Sequence, residues 1–136
     1  MSEKRSGGCL CGAVRYEMPW PPKALVVCHC CDCQKQAGTA FSVVGVARRD
    51  DLVVSGDLQT FSHPGSSGQT VNRKFCGNCG SPILTDTAAA RDQDIIFFKA
   101  GTLDQSADLK PTVHYWTRSA QHWFEVPAGV TCLEKQ

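Results

Sequence analysis

Two kinds of feature are missing from this chain, and each absence excludes a class of function. No segment approaches the roughly 20 consecutive apolar residues that a membrane span needs, which argues against a helical transmembrane protein. The opening MSEKRSGGCLCG lacks the apolar core of a secretory signal, so the expected location is the cytoplasm. Basic residues number 14 against 13 acidic ones, a formal charge of +1. Nucleic-acid binding rests on clustered Lys and Arg that neutralise several phosphates. Here the longest basic runs are the pairs Lys4-Arg5, Arg48-Arg49 and Arg73-Lys74, read as solvated surface, and no nucleic-acid partner is expected. No run of a dozen residues keeps a 3.6-residue apolar period, so long helices are not expected. There is neither a fixed-period repeat nor a low-complexity segment.

What is present suits a small folded unit. The 136 residues are 42% hydrophobic, enough for one continuous core, and residues 1–136 are expected to form a single domain. Short runs rich in β-branched and aromatic residues read as strands: AVRYEM after Gly12, ALVV before Cys28, FSVVGVA from Phe41, LVVS from Leu52, TVNRKF from Thr70 and IIFF from Ile95. Turn-forming clusters separate them, among them PWPPK from Pro19, HPGSSGQ from His63, read as a mobile loop, and GNCGSP from Gly77. The one helical candidate is the piece from about Cys31 to Ala37, stopped by Gly38. The expected fold is all-β, or β-dominated, with at most short helices and with cysteines at strand ends and turns.

Nine cysteines dominate the chemistry. An odd total, close pairs and no signal speak against a secreted disulfide framework, and a reducing compartment points to metal ligation or thiol chemistry. Cys9 and Cys11 are too close in sequence for an unstrained mutual disulfide, but two thiolates at that spacing can converge on one ion. With Cys76 and Cys79 of FCGNCGSP they complete the four ligands of a structural zinc, the turn glycines bringing backbone N–H groups near the sulfurs. The competing reading makes Cys76 and Cys79 a redox pair and leaves Cys9 and Cys11 as buried thiols. In CHCCDC, the trio Cys28, Cys30 and Cys33 would hold a second zinc with one position open, the mark of a catalytic site. Cys30 and Cys33 fall on one helical face, and Cys28 comes from the preceding strand. Cys31 and His29 are expected to point elsewhere; ligation by either would close the site. Cys132 belongs to no cluster. Four thiolates can also hold iron.

The segments GGCLCGAVRY, CHCCDCQKQAGTAF, KFCGNCGSPI, GTLD and PTVHYWTRSAQHW span nearly the whole chain, and in this order they resemble the glutathione-dependent formaldehyde-activating enzyme family. The resemblance implies a β-tent fold of two packed antiparallel sheets with zinc sites. It also implies two zinc ions per chain, on the four and the three cysteines already named. The activity it implies is that of an S-(hydroxymethyl)glutathione synthase, formally a carbon–sulfur lyase, in which glutathione adds to formaldehyde. A zinc carrying three thiolates favours delivering a fourth sulfur as thiolate over polarising the aldehyde. In the C-terminal motif Tyr115 and Trp116 could wall a pocket, whereas Trp123 is expected in the core. Lys35, His114 and Trp116 are the candidate substrate contacts, Lys35 toward a glutathione carboxylate and His114 for orientation or proton transfer. The alternative is a non-enzymatic binding module or glutathione carrier with both metal sites structural.

Overall fold

The computed structural model describes residues 3–135. In chain order the strands are β1 (Glu3–Gly8), β2 (Arg15–Trp20) and β3 (Ala24–Cys28), followed by helix α1 (Cys31–Ala37). Then come β4 (Ser42–Arg48), β5 (Val53–Ser55), β6 (Leu58–Pro64), β7 (Thr70–Cys76) and β8 (Pro82–Asp86), a second short helix α2 (Ala88–Asp92), β9 (Ile95–Lys99), β10 (Val113–Tyr115) and β11 (Thr131–Cys132). They form two sheets, one of order β1-β2-β5 and a larger one of order β11-β10-β3-β4-β9-β8-β7-β6. The fold is therefore β-dominated with two sheets, as expected. Pairing is antiparallel except at one end of the large sheet, where β10 runs parallel to both β3 and β11.

The large sheet turns one face into the core and lines a cavity with the other, and its central strands read as continuous apolar runs. Side chains alternate across a strand. In β9, Ile96 and Phe98 enter the core against Tyr16 and Met18 of the small sheet, while Ile95, Phe97 and Lys99 face the opposite way. The same alternation in β4 sends Ala47 into the core and Val44 and Val46 to the other face. Phe98 is fully buried, and its ring lies 5.9 Å from that of Tyr16. Gly45 makes room for it, since a Cβ there would come within 2.1 Å of Phe98 Cζ. The two sheets therefore pack closely over β4.

The basic pairs are not simply surface. Alternation turns Arg5 and Arg73 inward, with only 8% and 6% of their area exposed. Arg5 makes a two-pronged bond to Asp108 at 2.9 and 2.7 Å and lies 4.0 Å above the ring of Trp20. Arg49 pairs with the buried Asp86, which also accepts from Arg91 and from the Thr87 N–H. The stretch HPGSSGQ completes the β6–β7 hairpin, closed by Gly65 N–H to Gln69 O at 2.8 Å and Gly68 N–H to Gly65 O at 2.9 Å.

Candidate metal centres

Nine cysteines carry free thiols, and seven of them gather into two groups. The first joins Cys9 and Cys11, on the turn between β1 and β2, to Cys76, the last residue of β7, and Cys79, on the turn between β7 and β8. Gly80, at φ 81°, takes a left-handed conformation that lets this second turn close, and its N–H donates to Cys76 O at 2.8 Å. A register shift between Lys74 and Phe75 bends β7 just before the turn. Backbone N–H groups reach the sulfurs: Val14 to Cys9 Sγ at 3.2 Å and Asn78 to Cys76 Sγ at 3.4 Å. The two turns are also tied directly, because the Leu10 N–H donates to Ser81 Oγ, which lies 3.2 Å from Cys79 Sγ. That hydroxyl, with the backbone N–H groups of Ser81 and Cys11, pulls the Cys79 thiol down to about 5.

The donor set fits a tetrahedral thiolate ion. A tetrahedron with arms of about 2.3 Å has edges of about 3.8 Å. Cys9 Sγ lies 3.5 Å from Cys11 Sγ, which lies 3.8 Å from Cys76 Sγ.

The second group is Cys28, at the end of β3, with Cys30 and Cys33 of the α1 entry; their sulfurs lie within 4.8 Å of one another. Cys30 caps α1, its sulfur accepting the Cys33 N–H at 3.2 Å, and Gly38 ends the helix in the left-handed conformation at φ 71°. Hydrogen bonding among the trio pushes the Cys28 thiol up and draws Cys33 down, Cys33 being helped secondarily by the charges of Lys99 and Arg73. Three sulfurs this close cannot all ionise without a cation among them. The trio thus also suits a metal ion, with three protein donors instead of four.

Neither neighbour supplies a fourth donor to this three-residue group. Strand alternation sends His29 to the side opposite Cys28, where it is fully buried. Its Nε2 bonds His114 Nδ1 at 2.9 Å, and its ring packs against Phe41 and Phe124 at 5.4 and 5.0 Å. Burial lowers the basicity of both imidazoles. Cys31 stands exposed on α1, and Cys132 is exposed on β11.

The trio opens onto a cavity of about 660 Å³ on the face of the large sheet turned away from the small one. Its floor is Val26, Val44, Val46 and Phe97, and its far wall includes Ala89 and Ala90 of α2. Tyr115 and Trp116 border it, Trp116 with a left-handed backbone at φ 58° that a non-glycine residue adopts only when its surroundings demand it. Of the three candidate substrate contacts, Trp116 alone lines the cavity; His114 lies behind the sheet against His29, and Lys35 is exposed on α1. Trp123, expected in the core, is 68% exposed. The aromatic that packs inward here is Phe124, the residue after the motif, on whose ring Trp123 rests edge-on.

Lys99 and Arg73 of the cavity wall are site residues that the sequence reading passed over. The signal was available, since Lys99 ends IIFFK two residues after Phe97 and so shares its face.

Two sheets, a closed four-sulfur group and an open three-sulfur group define a β-dominated protein able to hold two metal ions. Residues 4–119 match the family of glutathione-dependent formaldehyde-activating enzymes, and the chain belongs to that family. A protein of Halomonas elongata whose name places it in the same family is 29% identical over 126 residues, covering 88% of this chain and 79% of that one. The crystal structure of a Rhodobacter sphaeroides protein superposes with a TM-score of 0.57 at 21% identity, covering 78% of this chain and 91% of the other. This second likeness speaks to the fold alone.

Proposed function

We propose that the chain is a zinc-dependent carbon–sulfur lyase of the S-(hydroxymethyl)glutathione synthase type. In this reading residues 1–136 form one zinc-binding domain, working in the reducing cytoplasm, that adds glutathione or another small thiol to formaldehyde. The observation that carries it is the contrast between a four-sulfur group and a three-sulfur group that opens onto a cavity. Cys9, Cys11, Cys76 and Cys79 would hold a structural zinc, and Cys28, Cys30 and Cys33 a catalytic one. Zinc bound by three thiolates supplies an open position that keeps a fourth sulfur as thiolate near neutral pH.

The remaining work falls to the chain. The apolar floor receives the carbon atoms of the substrate, and Trp116 borders the space that the substrate enters. The substrate sulfur donates an electron pair to the formaldehyde carbon, a C–S bond forms and the C=O π bond breaks. The resulting alkoxide takes up a proton equal to the one the thiol released, so neither oxidant nor reductant is required. Holding both reactants in one cavity converts a bimolecular encounter into a local one.

Native mass spectrometry and NMR exchange spectroscopy test this reading together. The wild type is expected to carry two zinc ions and Cys28→Ser one. Wild-type protein should accelerate exchange between glutathione and its hydroxymethyl adduct, and Cys33→Ser should not. Exchange no faster than in buffer would overturn the enzyme reading in favour of a binding module.

A further inference from the structure

The cavity wall carries two buried basic side chains that, among the described residues, pair with no carboxylate. Lys99 and Arg73 are each 6% exposed. Lys99 Nζ donates to Ser42 Oγ at 2.9 Å, and Arg73 Nε donates to His63 Nε2 at 2.8 Å. Among the described residues neither takes part in an ion pair. Lysine and arginine are almost never this buried without an anion, because removing their charge from water is costly. Asp32, also on the cavity wall, stands exposed on α1 and bonds neither cation.

Sheet register places this pair relative to the sulfurs. Cys28 lies opposite Ser42, and two residues along the same face Val26, Val44 and Lys99 stand in one row. The next row holds Val46, Phe97, Thr85 and Arg73. Lys99 Nζ, bonded to Ser42 directly across from Cys28, therefore stands beside the sulfurs, and Arg73 lies a row farther, beyond Val44, Val46 and Phe97. A divalent ion on three thiolates leaves one negative charge, and two cations more than offset it. Counted with the exposed Asp32 the formal charges of the cavity balance, and the two cations are the charged side chains buried within it.

We propose that Lys99 and Arg73 form a carboxylate seat, so that the cavity selects a thiol carrying a carboxylate a few bonds from its sulfur. Arginine's planar fork matches a carboxylate, and lysine adds a point charge from the second side. The apolar floor between Arg73 and the sulfurs would take the methylenes that join the two ends of such a ligand. This deepens the proposed function, on which it rests, by naming what the site requires of its thiol.

Isothermal titration calorimetry on the zinc-loaded protein tests it with 3-mercaptopropionate and its neutral analogue 3-mercaptopropionamide. A hydrogen-bonded charge pair is worth roughly a tenfold or greater preference for the acid. Lys99→Gln and Arg73→Gln should each reduce that preference, read as the ratio of acid to amide affinity within the same variant. Lys99→Met, which keeps the stem, serves if Lys99→Gln fails to fold, and zinc content and circular dichroism verify each variant. Equal affinities in the wild type, or an unchanged preference in the variants, would overturn the seat and leave the cations as mere counter-charges to the sulfurs. If neither thiol binds, the thiol reading falls, and butyrate, which has no sulfur, decides the seat alone. Saturable NMR shifts that Lys99→Gln abolishes would support it, and their absence would overturn it.

Discussion

The two sulfur groups use the same ligand atom and differ in what surrounds it. Cys9, Cys11, Cys76 and Cys79 come from two turns far apart in sequence, and each turn already spends backbone N–H groups on its sulfurs. Cys28, Cys30 and Cys33 come from six consecutive positions, at a junction of strand and helix that leaves one side open to a cavity. A metal on the first group links distant segments, so its binding free energy becomes folding free energy. A metal on the second links residues that the chain already holds together, which frees that site for chemistry. On the proposed reading, local spacing goes with the reactive site and distant spacing with the structural one.

The largest test of this comparison is a pair of serine substitutions. Cys76→Ser should cost about 3 kcal/mol or more and lower the melting temperature by roughly 10 °C, with poor soluble yield. Cys33→Ser should move the melting temperature by only about 3 °C or less and lose one metal ion. Similar losses in both variants, read by calorimetry, would erase the distinction. The next test lies away from both groups, at Asp86. Burial opposes its charge, yet Arg49 and then Arg91 outweigh that cost and hold the carboxyl below its usual range. Its contribution is therefore complete above about pH 4 and fades as pH falls through the depressed value. Asp86→Asn should cost about 2 kcal/mol at pH 7 and progressively less in acid, with both metals retained. A denaturation series across pH checks this, and loss of a metal would show that the sheet and the sulfur groups are not separable. The smallest effect is expected from Ser81→Ala. Without the hydroxyl that holds Cys79 down at about 5, protons should displace the metal of the four-sulfur group at a higher pH. An acid titration with a zinc indicator should show that midpoint rising by a fraction of a pH unit while the three-sulfur group is unaffected.

Much of the architecture was legible because period-2 patterning is local. ALVV, FSVVGVA, TVNRKF and IIFF all became strands, and CDCQKQA became α1 with Gly38 as its stop. β1 escaped notice because EKRSGG is polar and rich in glycine, and it is a strand only because β2 pairs along its whole length. β10 and β11 are too short to signal themselves, and they exist through parallel pairing with β3 and with each other. Trp123 and Phe124 are adjacent and similar in hydrophobicity, so nothing in the motif says which turns inward; the rings of His29, His114 and Phe41 decide it.

The two cysteine groups, the short helix and the β-dominated class were readable in the chain, because cysteine spacing, capping and alternation act over a few residues. The assembled sheet alone fixes that the trio faces a cavity, that His114 lies behind the sheet and that Arg73 and Lys99 line the same cavity. Those facts depend on which strands become neighbours. Arg73 and Lys99 are 26 positions apart, and they share a wall because β7, β8 and β9 pair in one register. Register and burial are properties of the assembled sheet, set by the total free energy of packing, and no short stretch of residues encodes them alone.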